Sequence, residues 1–379
     1  MTNVGEITSK REASLPASNG MKIVIATGIY PPDIGGPAYY AKGLEDALRA
    51  LGHEVKTVVY GDLRRRPMGV SHLIYLFRIW PHLSAADAVI ALDTASVAIP
   101  AWLASRMRGV RFIIRTGGDF VWEHYIERTQ NLVPLKFFYE RRRASETGKH
   151  GFHVSEPRSS KADPSAYDEI NDLSAKERLI YALTRLVVRR SVLVFSTEMQ
   201  RDVWLRPYGL EKGRTHVVGN AIDAPLAATA PSQKNFLWYV RPNAIKNGAH
   251  VHSAFAKAKA KHLDIVLEEG MVPQAKLLER MKGCYAVILP SVTEISPNYI
   301  LDALRFKKPF ILDKYSGYAK WLAPYGLLVD PLDEDDIARA VGELADESGY
   351  AKAVAKAAAF SFTRTYEEVA RDFLALIHH

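Results

Sequence analysis

The stretch KIVIATGIYPPDIGGP, residues 22–37, joins a short apolar run to a loop that is rich in glycine and proline. Lys22–Ala26 has the length and composition of a buried strand, and the apolar period over Tyr39–Leu51, which ends at Gly52, predicts a helix. Glu54–Tyr60 then predicts a second strand. A strand, a helix and another strand form a βαβ unit, so this stretch indicates a parallel sheet covered by helices.

The same alternation of strands and helices continues in two blocks along the chain. The first block is completed by strands predicted at Ala88–Leu92, Val110–Arg115, Val192–Phe195 and Thr215–Val218. The second block has strands predicted at Phe236–Val240, Asp264–Leu267, Tyr285–Leu289, Pro309–Leu312 and Leu327–Val329. Two blocks in a chain of 379 residues predict two α/β domains rather than one.

The composition between the blocks suggests where the domains begin and end. We expect a disordered leader over residues 1–20, and residues 141–172, which are polar and have no apolar period, predict a long loop or insertion. The remaining boundaries place a first domain at 21–222, an Ala- and Pro-rich linker at 223–235, a second domain at 236–360 and a final helix at 361–379.

Composition also narrows the class of protein. Hydrophobic residues make up 48% and charged residues 24%, the balance of a globular protein. The single cysteine, Cys284, excludes an intramolecular disulfide and a cysteine-based zinc cluster. Residues 1–20 lack the apolar core of a signal peptide and no apolar stretch is long enough to span a bilayer, so we expect a cytoplasmic protein.

The net charge of +8 favours anionic partners. We expect no nucleic acid among them, because the chain has no zinc finger, no RNA-binding strand motif and no basic helix with interleaved aromatic residues. Leu73–Trp80, preceded by Arg64–Arg66, is interpreted in two ways. It is either a buried helix or a surface helix in peripheral contact with an anionic membrane, at its inner face.

Ligands of open parallel sheets bind beyond the carboxyl ends of the strands, so the loops there are the candidate sites. Gly35 and Gly36 precede a helix start, where free backbone amides can bind a phosphate, although a plain turn is the alternative. Arg241 and Lys246 lie in the loop after Phe236–Val240. Such a pair suits a diphosphate, and the alternative is two solvated surface cations.

The third candidate loop begins the stretch PSVTEISPNYILDAL, residues 290–304. Ser296 followed by Pro297 predicts the N-cap and first residue of a helix, which leaves Glu294 before the helix and Asp302 inside it. Free amides flanked by two carboxylates suit a phosphate and the hydroxyl groups of a sugar. The alternative is that Glu294 complements the helix dipole while Asp302 is solvated.

Together these three loops resemble the family 4 glycosyltransferases of the GT-B fold, from Met21 to about Leu376. The resemblance rests on KIVIA…PPxxGG, on strand–Arg–x4–Lys and on P-S-x-x-E-x7-D. It implies two Rossmann-like doubly wound domains facing across a cleft, with the last helix crossing back onto the first domain. It also implies a retaining, hexosyltransferase-type enzyme. Such an enzyme moves a sugar from a nucleotide-diphosphate sugar to a hydroxyl of a glycan or lipid-linked acceptor held by the first domain.

The resemblance further implies a role for each candidate residue. Arg241 and Lys246 would bind the diphosphate and stabilise the leaving nucleotide, and Glu294 would bind hydroxyl groups of the donor sugar. Asp302 would bind the ribose. The donor phosphates would be approached by the glycines of the first loop and by backbone of the third, at Gly35, Gly36, Ile295, Ser296 and Asn298.

One further catalytic candidate follows a strand of the first domain, in the run TGGD. We favour Asp119 over His124 for contact with a sugar hydroxyl or the acceptor, and the alternative is an exposed aspartate in a turn. No metal and no other cofactor is expected, since two cations already face the diphosphate and the acidic run Asp333–Asp336 starts a helix.

Two departures from the family pattern leave a second interpretation open. Asp302 stands where the family usually has glutamate, and Pro297 has no amide hydrogen to offer a phosphate. The alternative is therefore a catalytically degenerate GT-B protein that acts as a nucleotide-sugar-binding or partner subunit.

Overall fold

The structure is a computed structural model that describes residues 20–146 and 173–378. Residues 1–19 of the predicted leader and residues 147–172 of the predicted loop lie outside these ranges. Residues 141–146 are described, and they continue a helix that runs over Leu135–Glu146. The loop predicted to begin at Arg141 is therefore wrong for these six residues, whose sequence RRRASE is dominated by good helix formers.

Within the described part of the chain, the first sheet has six parallel strands in the order β2-β1-β3-β4-β5-β6. The inner strands are buried on both faces, which explains why KIVIA is apolar at successive positions rather than alternating. The strands are β1 (Lys22–Thr27), β2 (Glu54–Val59), β3 (Ala88–Ala91), β4 (Arg111–Thr116), β5 (Val192–Phe195) and β6 (Thr215–Val217).

Helices cover both faces of this sheet. On one face α1 (Gly36–Ala50) buries its apolar side, and the other face is covered by the helices that follow β2, β3, β4 and β5. These are α2 (Met68–Ile79), α3 (Ala98–Arg108), α4 (Phe120–Thr129), α5 (Leu135–Glu146), α6 (Ala175–Val188) and α7 (Glu198–Leu205). None of the helices in the described ranges is long and apolar enough to cross a bilayer.

The second sheet lies within residues 234–329 and has five parallel strands in the order β11-β10-β9-β7-β8. Its strands are β7 (Lys234–Tyr239), β8 (Ile265–Gly270), β9 (Ala286–Leu289), β10 (Phe310–Asp313) and β11 (Leu327–Val329). The surrounding helices are α8 (Gly248–Lys259), α9 (Gln274–Gly283), α10 (Asn298–Arg305), α11 (Ala319–Leu322), α12 (Glu334–Ala345) and α13 (Glu347–Ala358). The prediction of two α/β sheets built from parallel strands is confirmed.

In each sheet the strand order reverses beside a central strand. The reversal falls between β1 and β3 in the first sheet and between β7 and β9 in the second. Crossover connections leave in opposite directions at such a point, so a crevice opens beyond the carboxyl ends of these strands. The three candidate loops of the sequence follow β1, β7 and β9, and they therefore border these two crevices.

The last helix, α14 (Tyr366–His378), leaves the second sheet and packs on α1 of the first domain. Its buried positions recur at three- and four-residue spacing, so a single face of the helix meets the core. The predicted crossing of the last helix back onto the first domain is confirmed. Two backbone hydrogen bonds between Ile222 and Arg364, of 2.7 and 3.0 Å, hold the two interdomain connections side by side.

This crossing makes a stability prediction. Phe373 is fully buried between α14 and α1, so Phe373→Ala leaves a cavity, and we expect the free energy of unfolding to fall by about 3–5 kcal/mol. Phe362, which precedes the helix and is exposed, is the matched control, and Phe362→Ala should cost under about 1 kcal/mol. Urea unfolding of both variants measures the difference. Equal losses would contradict the packing described here.

Candidate functional site

The strand-end loops of the two sheets meet each other across a cleft. The Nη2 atom of Arg241, after β7, donates to the carbonyl oxygen of Ile34, after β1, at 2.9 Å. The hydroxyl of Ser296, after β9, donates to that of Ser196, after β5, at 2.8 Å. The carboxyl ends of both sheets therefore face one another, and three of the predicted site loops border the same space.

Apolar side chains close part of this cleft. Ile245, Val292 and Ile295 belong to the loops of the second domain, yet they are buried in the core of the first domain with α4, α5 and α7. The amide of Leu135 at the start of α5 donates to Thr293 Oγ1 at 3.1 Å beside them. The second-domain loops are thus held by the first domain, which limits how their polar side chains can point.

At the centre of the site, Lys246 Nζ forms an ion pair with Glu294 Oε1. Their side chains are 22% and 13% exposed, so a ligand can reach the pair while most of it is shielded from solvent. Asn243 Oδ1 accepts the amide of Lys246 at 3.1 Å, and the carbonyl of Glu294 accepts the amide of Gly317 at 2.8 Å. Both members of the pair are therefore fixed through their backbones.

A second acid, Asp313, holds the backbone of Glu294 in place. Asp313, the last residue of β10, is fully buried and accepts the amide of Glu294 through Oδ2 at 3.2 Å. Its Oδ1 has no hydrogen-bond partner among the described residues. Burial, and then the negative charge of Glu294, raise the pKa of Asp313 well above the ordinary value, which favours the neutral acid.

The paired glycines of the first loop allow two side chains to approach closely. Gly35 has φ 146°, a backbone conformation that favours glycine, and it is the N-cap of α1. A Cβ at Gly35 would lie 3.1 Å from Arg241 Nη2, and one at Gly36 would lie 3.3 Å from Asn298 Nδ2. The loop therefore brings Arg241 and Asn298 to the amino end of α1, as a shared phosphate site requires.

The start of α10 differs from the prediction. The helix begins at Asn298, and Ser296 does not cap it, because its hydroxyl is turned across the cleft to Ser196. The Asn298 amide instead donates to the carbonyl of Ser296 at 2.8 Å. The Asn298 side chain accepts from Asn220 Nδ2 at 2.7 Å, which ties the amino end of α10 to the connection between the domains.

Asp302 lies in the second turn of α10 and is already engaged. Its Oδ2 accepts from Gln274 Nε2 at 2.6 Å and its Oδ1 accepts from Arg305 Nη1 at 3.0 Å. Burial raises the pKa of Asp302, while Arg305 acts in the opposite direction. It is therefore not the solvated face residue considered as an alternative, and its contact with a ribose stays a prediction.

Asp119 is buried inside the first domain. It is 0% exposed, caps α4 through the amide of Trp122 at 2.9 Å, and accepts from Tyr139 Oη and Trp204 Nε1, each at 2.8 Å. Burial raises the pKa of Asp119 to about 6. Both carboxylate oxygens are thus used by buried donors, so the structure gives no support to the predicted sugar contact or to an exposed turn.

His124, the second candidate of that segment, has partners of its own. Its Nδ1 lies 2.8 Å from Glu177 Oε1, and its Nε2 lies 3.2 Å from Lys176 Nζ. These contacts join α4 to α6 on the outer side of the sheet. The acidic run that begins at Asp333 is likewise structural, because Asp333 Oδ1 accepts the amides of Asp335 and Asp336 at 3.0 and 3.2 Å.

The described ranges, 20–146 and 173–378, contain no group of three or more His, Cys, Asp or Glu side chains placed to hold a metal ion. Arg241 and Lys246 both bring positive charge to the cleft.

Comparison with known proteins identifies the fold. No family model matches the sequence, and no curated protein matches it. Three solved structures superpose over 94% of this chain. Sucrose-phosphate synthase from Thermosynechococcus elongatus does so with a TM-score of 0.62 and 12% identity over 98% of its own chain, and Anabaena HepE in complex with UDP and glucose does so with a TM-score of 0.62 and 12% identity over 99%. WaaG, a glycosyltransferase involved in lipopolysaccharide biosynthesis, superposes with a TM-score of 0.61 and 13% identity over 99% of its chain. This chain has the GT-B fold.

The first-domain wall of the GT-B cleft carries an acid that the sequence analysis missed. Glu123, in the first turn of α4, accepts the amide of Asp119 through Oε1 at 3.1 Å. Burial raises the pKa of Glu123 to about 7. The hydrogen bond from the Asp119 amide and the charge of Lys246 act against this rise, whereas the negative charges of Asp119 and Glu294 add to it. In sequence, a glutamate at this position looks like a residue that complements the helix dipole, so its raised pKa could not be predicted.

Glu123 gives a pH prediction with a defined sign. The folded protein binds the Glu123 proton more tightly than the unfolded chain, so ionisation removes stability as pH rises from 4.5 to about 7. Glu123→Gln keeps an acceptor for the Asp119 amide and cannot ionise. We expect this variant to gain on the order of 1 kcal/mol relative to the unmodified protein between these pH values.

Urea unfolding across that pH range measures the difference. Glu343→Gln, at an exposed position on α12, is the control and should follow the unmodified protein at every pH. A Glu123→Gln difference that does not change with pH would contradict the raised pKa.

Proposed function

We propose that this protein transfers a sugar from a nucleotide-diphosphate sugar to a hydroxyl group of an acceptor. The observation that carries the proposal is the Lys246–Glu294 pair beyond the second sheet, with Arg241 bound to the loop of Gly35 across the cleft. Two cations suit a diphosphate and a carboxylate suits sugar hydroxyl groups. HepE, which has the same fold, was solved with UDP and glucose, and this supports a nucleotide-sugar donor.

A bound donor would replace contacts that the residues of the cleft make with one another. Arg241 is exposed and donates to the backbone carbonyl of Ile34. A diphosphate can take the place of this neutral acceptor, and its negative charge makes the hydrogen bond stronger. Lys246 would share its charge between the diphosphate and Glu294, and Glu294 would accept from the hydroxyl groups of the sugar. Backbone amides at the start of α10 would meet phosphate oxygens, and Asp302 would meet the ribose.

We propose a retaining transfer on one face of the sugar. The acceptor oxygen attacks the anomeric carbon on the face from which the diphosphate departs, the bond to the phosphate oxygen breaks, and that phosphate takes the acceptor proton. The enzyme contributes position and charge. Arg241 and Lys246 stabilise the leaving diphosphate, so the proposed route needs no metal, and the transferred group is of the hexosyl type.

We propose that the acceptor, a glycan or a lipid-linked saccharide, lies against the first domain. Glu123 lies on α4, which packs against the turn that carries Lys246, and its raised pKa of about 7 keeps a large share of it neutral near pH 7. A neutral carboxyl can donate a hydrogen bond to an acceptor or sugar oxygen without repelling the diphosphate. This charge balance favours binding of an anionic donor beside Glu294.

A thermal-shift screen with UDP-, GDP- and ADP-sugars tests the donor site. We expect at least one of them to raise the melting temperature of the unmodified protein, because a ligand that binds the folded state stabilises it. Arg241→Ala removes a bidentate phosphate donor and should weaken binding about 10-fold or more. Glu294→Ala should weaken binding of the nucleotide sugar more than binding of the free nucleotide.

The exposed pair Arg339 and Glu343 on α12 provides matched controls, and Arg339→Ala and Glu343→Ala should bind as the unmodified protein does. Absence of a shift with every nucleotide sugar would contradict the proposal. Shifts that survive Arg241→Ala would contradict the diphosphate assignment. Tight binding without release of a nucleoside diphosphate in the presence of acceptors would make the protein a nucleotide-sugar-binding subunit instead.

A further inference from the structure

The outer face of the first domain carries exposed apolar side chains on two neighbouring helices. On α2 they fall at spacings of three and four, so they share one side of the helix, and Phe77 is 65% exposed. On α3 the two exposed apolar residues are four apart. We call these residues the α2–α3 surface: Val70, Leu73, Phe77, Leu103 and Met107.

Topology places the two halves of this surface side by side. Both helices begin beyond the carboxyl ends of their strands, and α2 packs against α3 on the same face of the sheet. Leu73 and Leu103 lie five residues into their helices, and Phe77 and Met107 lie nine residues in. Since each residue rises 1.5 Å along a helix, the paired side chains lie at similar depths and form one apolar strip.

The buried-helix interpretation of Leu73–Trp80 holds for one side of the helix and not for the other. Tyr75 and Ile79 are 0% exposed and pack in the core, whereas Leu73 and Phe77 point away from it. A helix in the outer layer of the domain has the core on one side only, so apolar side chains on its other side need a second apolar environment. The chain itself, over the described residues, places nothing on this second side of α2.

Arginines surround the strip with little opposing charge. Residues 61–80 and 98–110 contain six arginines and one carboxylate, Asp62. That carboxylate is taken by Arg78, through hydrogen bonds of 2.8 and 3.1 Å. Arg65, Arg66 and Arg106 are exposed at the margins of the strip. The result is an apolar centre with an unbalanced positive border.

One end of this surface reaches the cleft. Arg64, in the turn just before α2, donates through Nη2 to the carbonyl oxygen of Gly28 in the loop after β1. The same loop continues to the carbonyl of Ile34 that Arg241 contacts. A molecule lying on the arginine end of the surface is therefore adjacent to the first-domain mouth of the cleft.

We propose that the α2–α3 surface binds the anionic face of a lipid bilayer. Leucine, phenylalanine and methionine side chains can enter the boundary between headgroups and acyl chains while the arginines contact lipid phosphates, as in amphipathic helices that lie in the membrane plane. A bilayer provides both an apolar layer and a continuous negative surface, which matches both halves of the patch. Arg64 connects this surface to Gly28 at the mouth of the cleft. If the proposed function holds, the acceptor therefore enters the cleft from this membrane.

Flotation of the full-length protein with vesicles tests the proposal. The protein should float with vesicles of equal parts phosphatidylglycerol and phosphatidylcholine, and far less with phosphatidylcholine alone. Arg65→Gln with Arg66→Gln should weaken the binding by about fivefold for each arginine. Leu73→Ser with Phe77→Ser should weaken it by at least about tenfold, because the apolar area no longer enters the bilayer.

Leu263→Ser is the matched control, since Leu263 is 82% exposed and lies on the second domain, outside the α2–α3 surface. It should float like the unmodified protein. Nucleotide-sugar binding, measured by thermal shift, should be unchanged in every one of these variants, so loss of vesicle binding is separable from loss of the donor site.

Three results would overturn the proposal. One is absence of binding to the anionic vesicles, and another is equal binding to neutral vesicles. The third is a dimer in sedimentation that Leu73→Ser with Phe77→Ser converts to a monomer while vesicle binding is absent. That last outcome would make the surface an interface between copies of this chain.

Discussion

The insertion of Ile245, Val292 and Ile295 into the core of the first domain is the contact on which the site depends. These side chains stand between the polar residues of the second-domain loops, so their burial fixes the direction of Lys246 and Glu294. Burial of three such side chains is worth several kcal/mol, which is enough to hold two domains in one arrangement. Once the loops are held in this way, Arg241 and Ser296 form their hydrogen bonds across the cleft with little further loss of conformational entropy.

Charge in the cleft follows from this packing. Lys246 faces Glu294, and two more acids, Glu123 and Asp313, lie close enough to influence the same charges. Were all three acids ionised, the site would repel a diphosphate. Desolvation opposes this, because it raises the pKa of both Glu123 and Asp313 and so favours their neutral forms. A donor phosphate then meets Arg241 and Lys246 with less repulsion from the neighbouring acids.

Much of this fold could be predicted from the sequence, because strands buried on both faces are apolar at every position. Runs such as KIVIA predict the strands of the two sheets. Gly35 and Gly36 indicate a loop that other groups approach closely, and in the structure these groups are Arg241 and Asn298. The directions of the polar side chains could not be predicted in this way. Asp119 accepts from Tyr139 and Trp204, Ser296 donates across the cleft to Ser196, and Glu123 accepts the amide of Asp119. The directions of Asp119 and Ser296 depend on partners that are distant in sequence, so a local sequence pattern cannot predict them.

The most direct measurement of the central claim is a crystal structure with a bound nucleoside diphosphate. We predict phosphate oxygens within hydrogen-bonding distance of Arg241 and Lys246, with Arg241 released from the carbonyl of Ile34. A diphosphate bound elsewhere, with the contacts of Arg241 to Ile34 and of Lys246 to Glu294 intact, would contradict the account.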